Sequence, residues 1–357
     1  MKNTRTVNIG GVQIGGPNPV AVQSMTKTDT TDISATVEQI NSLEACGCDI
    51  VRLAVKDTEA AKALREIKKE VNVPIVADIH FDHRVACESI RSGADKIRIN
   101  PGNIHKEEHI RKIIEAASGK GIPVRIGINS GSLPGGASSG APSPELMVGH
   151  IMEYIDIFHR MRFRDIVLSV KASDVLTTIK AYEILSRKTD HPLHVGVTAA
   201  GTSRNGIVRS SIGIGHLLVS GIGDTIRVSL TGSPLEEVRT AKSILSALGL
   251  RNYGPELISC PTCGRCRVDL QLLVERMEVS LEDALSSVDT DRRPPVVVAV
   301  MGCEVNGPGE AAEADVGIAF GRGKGAVFHK GKIIRTVSAE DAPEVLIKLV
   351  KKEYERT

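Results

Sequence analysis

The sequence predicts an α/β protein, a (β/α)8 TIM barrel followed by a small α+β domain. Three observations lead there. Short β-branched apolar runs alternate with amphipathic stretches roughly every 25–30 residues through the first half and beyond, the cadence of strand–helix units. Eight such runs occur, and eight units make a TIM barrel of about 250 residues. After Gly249 the cadence breaks, and about a hundred residues of mixed strands and helices remain, enough for a second domain. A doubly wound open sheet is the competing arrangement for the same alternation.

The runs, in order, are Val20–Gln23, Asp49–Val55, Pro74–Ile79, Lys96–Ile99, Val124–Ile128, Ile166–Val170, Leu193–Val197 and Thr225–Leu230. Val and Ile dominate them, as buried strands require. Between them apolar residues recur at helical spacing. Ala61, Leu64 and Ile67 form one stripe, and Met147, Ile151, Tyr154, Ile155 and Phe158 another. After the fifth run, Ser130–Pro144 is almost entirely Gly, Ser, Pro and Ala, so it is either a lid over the catalytic face or a plain flexible connector. Arg251–Pro255 reads as a linker. The second domain holds a Cys-rich segment, a polar stretch at Ser286–Pro295, strands at Pro295–Val300 and Asp315–Phe320, and a hairpin-like Ala326–Arg335. Its last helix carries Ala342, Val345, Leu346, Leu349 and Val350 at helical spacing. The expected division is residues 1–252 and 256–357.

Composition narrows the function. Apolar residues make up 41% and charged ones 25% of the 357 residues, ordinary for a soluble globular chain. A net charge of +2 gives no general attraction to nucleic acid, and 3% aromatics with no Trp argue against base-stacking platforms. Met1–Gly11 lacks the apolar core of a signal peptide. The longest apolar run, Pro294–Met301, is far short of the ~20 residues that span a bilayer. A cytoplasmic location is expected, without membrane or nucleic-acid partners, and with the seven Cys as thiols or metal ligands rather than disulfides.

In a TIM barrel the active site lies at the C-terminal ends of the strands. The polar residues there are Gln23, Ser24, Arg52, Asp78, His80, Arg98, Asn100, Arg125, Asn129, Lys171, Ser173, Thr198, Arg227 and Ser229. Five cations from five strands, Arg52, Arg98, Arg125, Lys171 and Arg227, would repel one another unless an anion compensates. Guanidinium groups match phosphate oxygens in bidentate pairs, so a small, highly charged anion such as a diphosphate is expected. Any one of these Arg taken singly reads as an ordinary ion pair, and the recurrence at strand ends is what points to a site. His80 and Asp78 are open between catalysis, phosphate contact and structural hydrogen bonding.

Cys260, Cys263 and Cys266 form C-x2-C-x2-C, and Cys303 follows a strand. Such thiolates can hold a zinc ion or an iron–sulfur cluster. Pro and Gly shape tight loops on both flanks, and Glu310 follows Cys303 as a hard oxygen ligand. Structural zinc prefers a closed Cys/His set, so these details favour the cluster. Cys46, Cys48 and Cys87 read as core packing.

Together, Cys-Pro-Thr-Cys-Gly-Arg (260–265), Met-Gly-Cys-Glu-Val-Asn-Gly-Pro-Gly-Glu-Ala (301–311), Arg-Ile-Asn-Pro-Gly-Asn-Ile (98–104), Asn-Ser-Gly-Ser-Leu (129–133) and Arg-Val-Ser-Leu-Thr (227–231) resemble the 4-hydroxy-3-methylbut-2-enyl diphosphate synthase family. These are the iron–sulfur enzymes near the end of the methylerythritol phosphate route to isoprenoids. The likeness spans essentially the whole chain, in the short bacterial two-domain form. It implies reduction of 2-C-methyl-D-erythritol 2,4-cyclodiphosphate by two electrons, with loss of water, to the allylic diphosphate. It implies a [4Fe–4S] cluster on Cys260, Cys263, Cys303 and Glu310, with electrons from reduced flavodoxin or ferredoxin. It implies diphosphate contacts from Arg52, Arg98, Arg125, Asn129, Lys171, Arg227 and Ser229. It also implies a homodimer in which one subunit's cluster domain caps the partner's barrel mouth.

Three departures stand out. The family reads Thr-Glu-Ala-Gly after the seventh strand, where the Glu delivers a proton; here the run is Thr198-Ala199-Ala200-Gly201. Either His80 or a water takes that role, or the chain is impaired, or it has diverged. Cys266 is a thiol where the family has none, and the 130–144 loop differs from the longer helical insertion of relatives. The competing readings are a zinc-bearing barrel lyase or hydrolase acting on a phosphosugar, and a non-catalytic iron–sulfur sensor that binds the substrate.

Overall fold

The computed structural model describes residues 2–132, 143–198, 201–285, 288 and 294–356. It forms two compact units, Met1–Leu250 and Arg251–Thr357.

The first unit opens with an antiparallel hairpin of β1 (Val7–Ile9) and β2 (Val12–Ile14). Its turn is Gly10-Gly11, with φ of 55° and 102°, a conformation that costs Gly nothing. The periodicity of the barrel gives no hint of this hairpin. Val7, Ile9 and Ile14 pack on Ala21, Ile50, Val76 and Val167, which lie at the starts of four barrel strands. The hairpin therefore plugs the barrel's N-terminal end.

Eight strands follow: β3 (Ala21–Met25), β4 (Ile50–Ala54), β5 (Ile75–Asp78), β6 (Lys96–Ile99), β7 (Val124–Asn129), β8 (Ile166–Lys171), β9 (His194–Val195) and β10 (Thr225–Ile226). All pairings are parallel, in the order β8-β7-β6-β5-β4-β3-β10-β9. A parallel bridge between Leu168 and Leu193 joins the two ends. The sheet closes, and the doubly wound alternative is excluded. Helices α1 (Ile33–Ala45), α2 (Thr58–Glu70), α3 (His83–Arg91), α4 (Glu107–Lys120), α5 (Pro144–Arg160), α6 (Val175–Lys188), α7 (Ser203–Val219) and α8 (Pro234–Ala247) alternate with the strands. Asp32, Asp57, Asp82, Ser143, Asp174 and Ser233 cap six of them through side-chain oxygens, each worth about 1 kcal/mol. These caps set where each helix begins after a loop on the catalytic face. Most of the Gly/Ser-rich 130–144 loop, and Ala199, lie outside the described residues.

The second unit is a five-stranded sheet in chain order, β11 (Glu256–Ser259), β12 (Val297–Met301), β13 (Val316–Phe320), β14 (Gly325–His329) and β15 (Lys332–Val337). The first three run parallel and the last two antiparallel. Helix α9 (Leu270–Leu285) buries Leu270, Leu273, Met277, Leu281 and Leu285 along one stripe, and α11 (Ala342–Arg356) packs Ala342, Val345, Leu346 and Val350 into the same core. The short α10 (Gly307–Glu313) follows β12. Among the described residues no helix is long and apolar enough to cross a membrane.

Candidate active site and cysteine cluster

At the C-terminal ends of the barrel strands lies a cavity of about 250 Å³. Arg52, Arg98, Arg125, Asn129, Lys171, Arg227 and Ser229 all line it, with Met25, Asp78, His80, Ser169 and Thr198. Strand register explains the convergence. Side chains two residues apart share a face, so Arg125 and Asn129 on β7 and Ser169 and Lys171 on β8 face inward together, with Asn129 opposite Lys171. Room for the long cations comes from glycines. A Cβ at Gly127 would lie 3.1 Å from Arg98 Nε, and one at Gly196 would lie 2.8 Å from Lys171 Nζ and collide with the Arg227 carbonyl.

The other strand-end candidates sit elsewhere. Ser24 faces outward and donates to Glu237 Oε2 at 3.1 Å. Asn100 shapes the loop of the Arg-Ile-Asn-Pro-Gly motif, accepting from the Gly102 amide at 3.1 Å, and Tyr154 donates to the Pro101 carbonyl of that loop at 2.7 Å. Gln23 is buried beneath the cavity without lining it, and Ser173 is outside it.

The cations are not compensated by an incoming anion alone, as their crowding suggested. Asp78 reaches Arg98 at 3.0 Å and Arg52 at 3.7 Å, and His80 Nε2 lies 3.4 Å from it. Burial would raise Asp78, but Arg52, His80, Arg98 and Arg125 hold its carboxyl well below the usual range. Glu237, on the first turn of α8, lies 3.5 Å from Arg227 and 3.5 Å from Lys27, and accepts from the Leu230 amide at 3.1 Å. The sequence does not mark it, because a helical Glu looks solvent-facing until the fold turns it inward. Two carboxylates against five cations still leave an excess of positive charge. Burial, and then neighbouring Arg125 and Arg227, push the Lys171 ammonium well below its ordinary value. Burial and Arg227 draw Arg52 down to about 9. Nε and Nη1 of Arg125 and Nε of Arg98 make no hydrogen bond, and Arg227 Nε has only the 3.5 Å approach of Glu237. Donors of this kind suit a multivalent anion.

In the second unit, parallel pairing of β11 with β12 sets Ser259 opposite Val300. The strands therefore deliver Cys260 and Cys303 to the same end of the sheet. The Gly302 amide donates to Cys260 Sγ at 3.4 Å. Backbone amides of Val305 and Asn306, entering α10, lower the Cys303 thiol below its ordinary value, which favours the thiolate a metal needs. Glu310 is exposed on α10. Cys266 stays beside them: its Sγ lies against Gly302, donates to the Val268 carbonyl at 3.2 Å and, like Cys260, packs against the core. Among the described residues no three His, Cys, Asp or Glu side chains are grouped tightly enough for one metal ion. Thiolates presented on loops of this kind can hold either a zinc ion or an iron–sulfur cluster. Of the three barrel cysteines, Cys48 is core, its thiol pushed up to about 12 by burial. Cys46 and Cys87 are only half-buried, contrary to their reading as core, because each sits near the outer surface of a helix layer.

The GcpE TIM-barrel domain matches residues 4–242 and the GcpE C-terminal domain residues 256–352. The chain belongs to the GcpE family. Similar GcpE relatives include 4-hydroxy-3-methylbut-2-en-1-yl diphosphate synthase (flavodoxin) of Caldanaerobacter subterraneus subsp. tengcongensis, 53% identical over 98% of this chain and 97% of that protein. The protein of the same name from Thermodesulfovibrio yellowstonii is 51% identical over 98% and 99%. Among solved structures, dihydropteroate synthase of Yersinia pestis aligns with 68% of this chain and 98% of its own, at a TM-score of 0.50 and 12% identity. Type I 3-dehydroquinate dehydratase of Clostridium difficile gives 0.52 and 15%, over 69% and 98%. These two share the barrel fold of this GcpE member and no more.

Proposed function

We propose that the chain is an oxidoreductase converting 2-C-methyl-D-erythritol 2,4-cyclodiphosphate to (E)-4-hydroxy-3-methylbut-2-enyl diphosphate, with two electrons from reduced flavodoxin or ferredoxin. One observation carries this reading: seven residues picked as diphosphate contacts line a single cavity whose cations exceed its carboxylates. Arg98, Arg125, Arg227 and Lys171 would grip the diphosphate, with Arg52, Asn129 and Ser229 completing the cradle. Opening the ring frees a phosphate oxygen and adds negative charge to the diphosphate. The same cations then stabilise the transition state more than the bound substrate, which is what accelerates a reaction. His80, beside Asp78 and half-exposed at the rim, would hold or move a proton for the departing water.

Cys260, Cys263, Cys303 and Glu310 would hold a [4Fe–4S] cluster, Glu310 leaving its iron accessible. When bound, that cluster supplies single electrons and a Lewis-acidic iron. The active form is read as a homodimer.

Anaerobic reconstitution tests the cofactor reading. The chain should take up about four iron and four sulfide and show a brown absorbance that reduction bleaches. Uptake of a single zinc with no sulfide would overturn it in favour of a zinc lyase or hydrolase.

A further inference from the structure

TIM-barrel interiors are normally filled by layers of branched apolar side chains. Here the layer beneath the mouth is polar and cationic. Lys96 and His194 are fully buried, Gln23 is 1% exposed and Arg125 2%. Lys96 pairs in register with Val76 and Gln23 with Ile50, beside the apolar cluster of Ala21, Ile50, Val76 and Val167, and His194 pairs in register with Thr225 on β10. Lys96, Gln23 and His194 do not line the mouth cavity; Arg125 alone of the four reaches it.

Several of their polar atoms have no partners. Lys96 Nζ, both amide atoms of Gln23, His194 Nε2, and Nε and Nη1 of Arg125 make no hydrogen bond. Sealed, unpartnered donors of this kind are costly and rare. Lys96 makes no ion pair among the described residues, and Asp78 is committed to Arg98 and Arg52. Burial, then Arg125 and Arg52, push the Lys96 ammonium well below its ordinary value. Nδ1 of His194 lies 2.8 Å from the Thr225 hydroxyl. When that hydroxyl donates to Nδ1, the imidazole is neutral and its Nε2–H is a further free donor.

We infer that the barrel holds a small monovalent inorganic anion of the halide class beneath the diphosphate cavity, bound by Lys96, Arg125, His194 and Gln23. An ammonium, a guanidinium N–H, an imidazole N–H and an amide NH2 all donate, and one anion satisfies them together. Water would satisfy single donors but would supply no negative charge to favour the Lys96 ammonium beside Arg125. Enclosure by fully buried side chains favours an anion that dehydrates easily over a phosphate. The anion would brace Arg125 from below while its other face meets the substrate. The site does not depend on the identity of the organic substrate.

Crystals of the full chain soaked in bromide test this without any substitution. An anomalous bromide peak is expected between Lys96 and Arg125, and it should persist when inorganic pyrophosphate fills the mouth. Ordered water alone at that position would overturn the proposal. So would bromide found only among Arg98, Lys171 and Arg227 and displaced by pyrophosphate, since that bromide belongs to the mouth. In solution, chloride should raise Tm by about 3 °C or more over gluconate at equal ionic strength, and Lys96→Met should abolish the difference. An undiminished chloride shift in a folded Lys96→Met chain would contradict it. If that variant does not fold, the bromide map decides.

Discussion

Asp78 bridges Arg98 and Arg52 at the mouth, and Glu237 does the same for Arg227 and Lys27. These carboxylates fix the guanidinium groups in place before any substrate arrives, so little ordering remains to be done on binding. Replacing Arg125 or Arg227 with Ala removes charge-assisted bonds worth about 1.5–3 kcal/mol, so KM should rise roughly 10- to 100-fold. Iron and sulfide content should stay unchanged, and unaltered KM in both variants would mean the diphosphate binds elsewhere. Lys171 gives a pH signature. Its folded pKa lies well below the ordinary value, and a bound diphosphate favours the ammonium. Binding should therefore take up protons, and affinity should fall as pH rises through the lowered value. Calorimetry of pyrophosphate binding in two buffers of different ionisation enthalpy reads this uptake, which Lys171→Met should remove. Position 199 follows Thr198, which lines the cavity. Alanine there supplies no proton, so turnover rather than binding should suffer. Ala199→Glu should raise kcat by about 10²-fold or more; a flat kcat would assign the proton to another group, and His80→Asn would be measured next.

At the scale of elements, the thiolate set depends on how β11, β12 and the start of α10 are ordered. Cys303→Ser should leave the unit folded, because Cys303 contributes through backbone amides at its thiol rather than through the core of α9 and α11. It should nevertheless abolish the brown absorbance, with far-ultraviolet circular dichroism unchanged; retained iron and sulfide would remove Cys303 from the ligands. The barrel strands were legible because Val and Ile runs with period-two polar ends leave few alternatives. The β1–β2 hairpin was not, since two three-residue strands lie below the length at which alternation is readable. Helix α9 carries a Leu270, Leu273, Met277, Leu281 stripe at helical spacing, a segment the sequence analysis leaves without an assignment. Of the mouth, every cation was legible from its place at a strand end. Glu237 was not, because only the tertiary fold turns the first turn of α8 toward β10. Ser24 and Asn100 were misplaced for a related reason, as one residue of register moves a side chain to the opposite face of a strand.

For the whole molecule, the barrel supplies an anion cradle and the second unit supplies a thiolate set, and neither alone accounts for a reduction of a phosphorylated substrate. The relatives' shared length and the two matched domains mean both halves belong to the working form of the family. A substrate-binding sensor would use the same cradle without net chemistry, and a zinc enzyme would need no electron donor. The measurement that separates these directly is anaerobic turnover: the reconstituted full chain, the cyclodiphosphate, and reduced flavodoxin, with product followed by mass and phosphorus magnetic resonance. The account predicts formation of the allylic diphosphate with two electrons consumed per molecule, slow in the native chain and dependent on both donor and cluster. Tight binding of the cyclodiphosphate with no product, even after Ala199→Glu, or product formed without any electron donor, would contradict it.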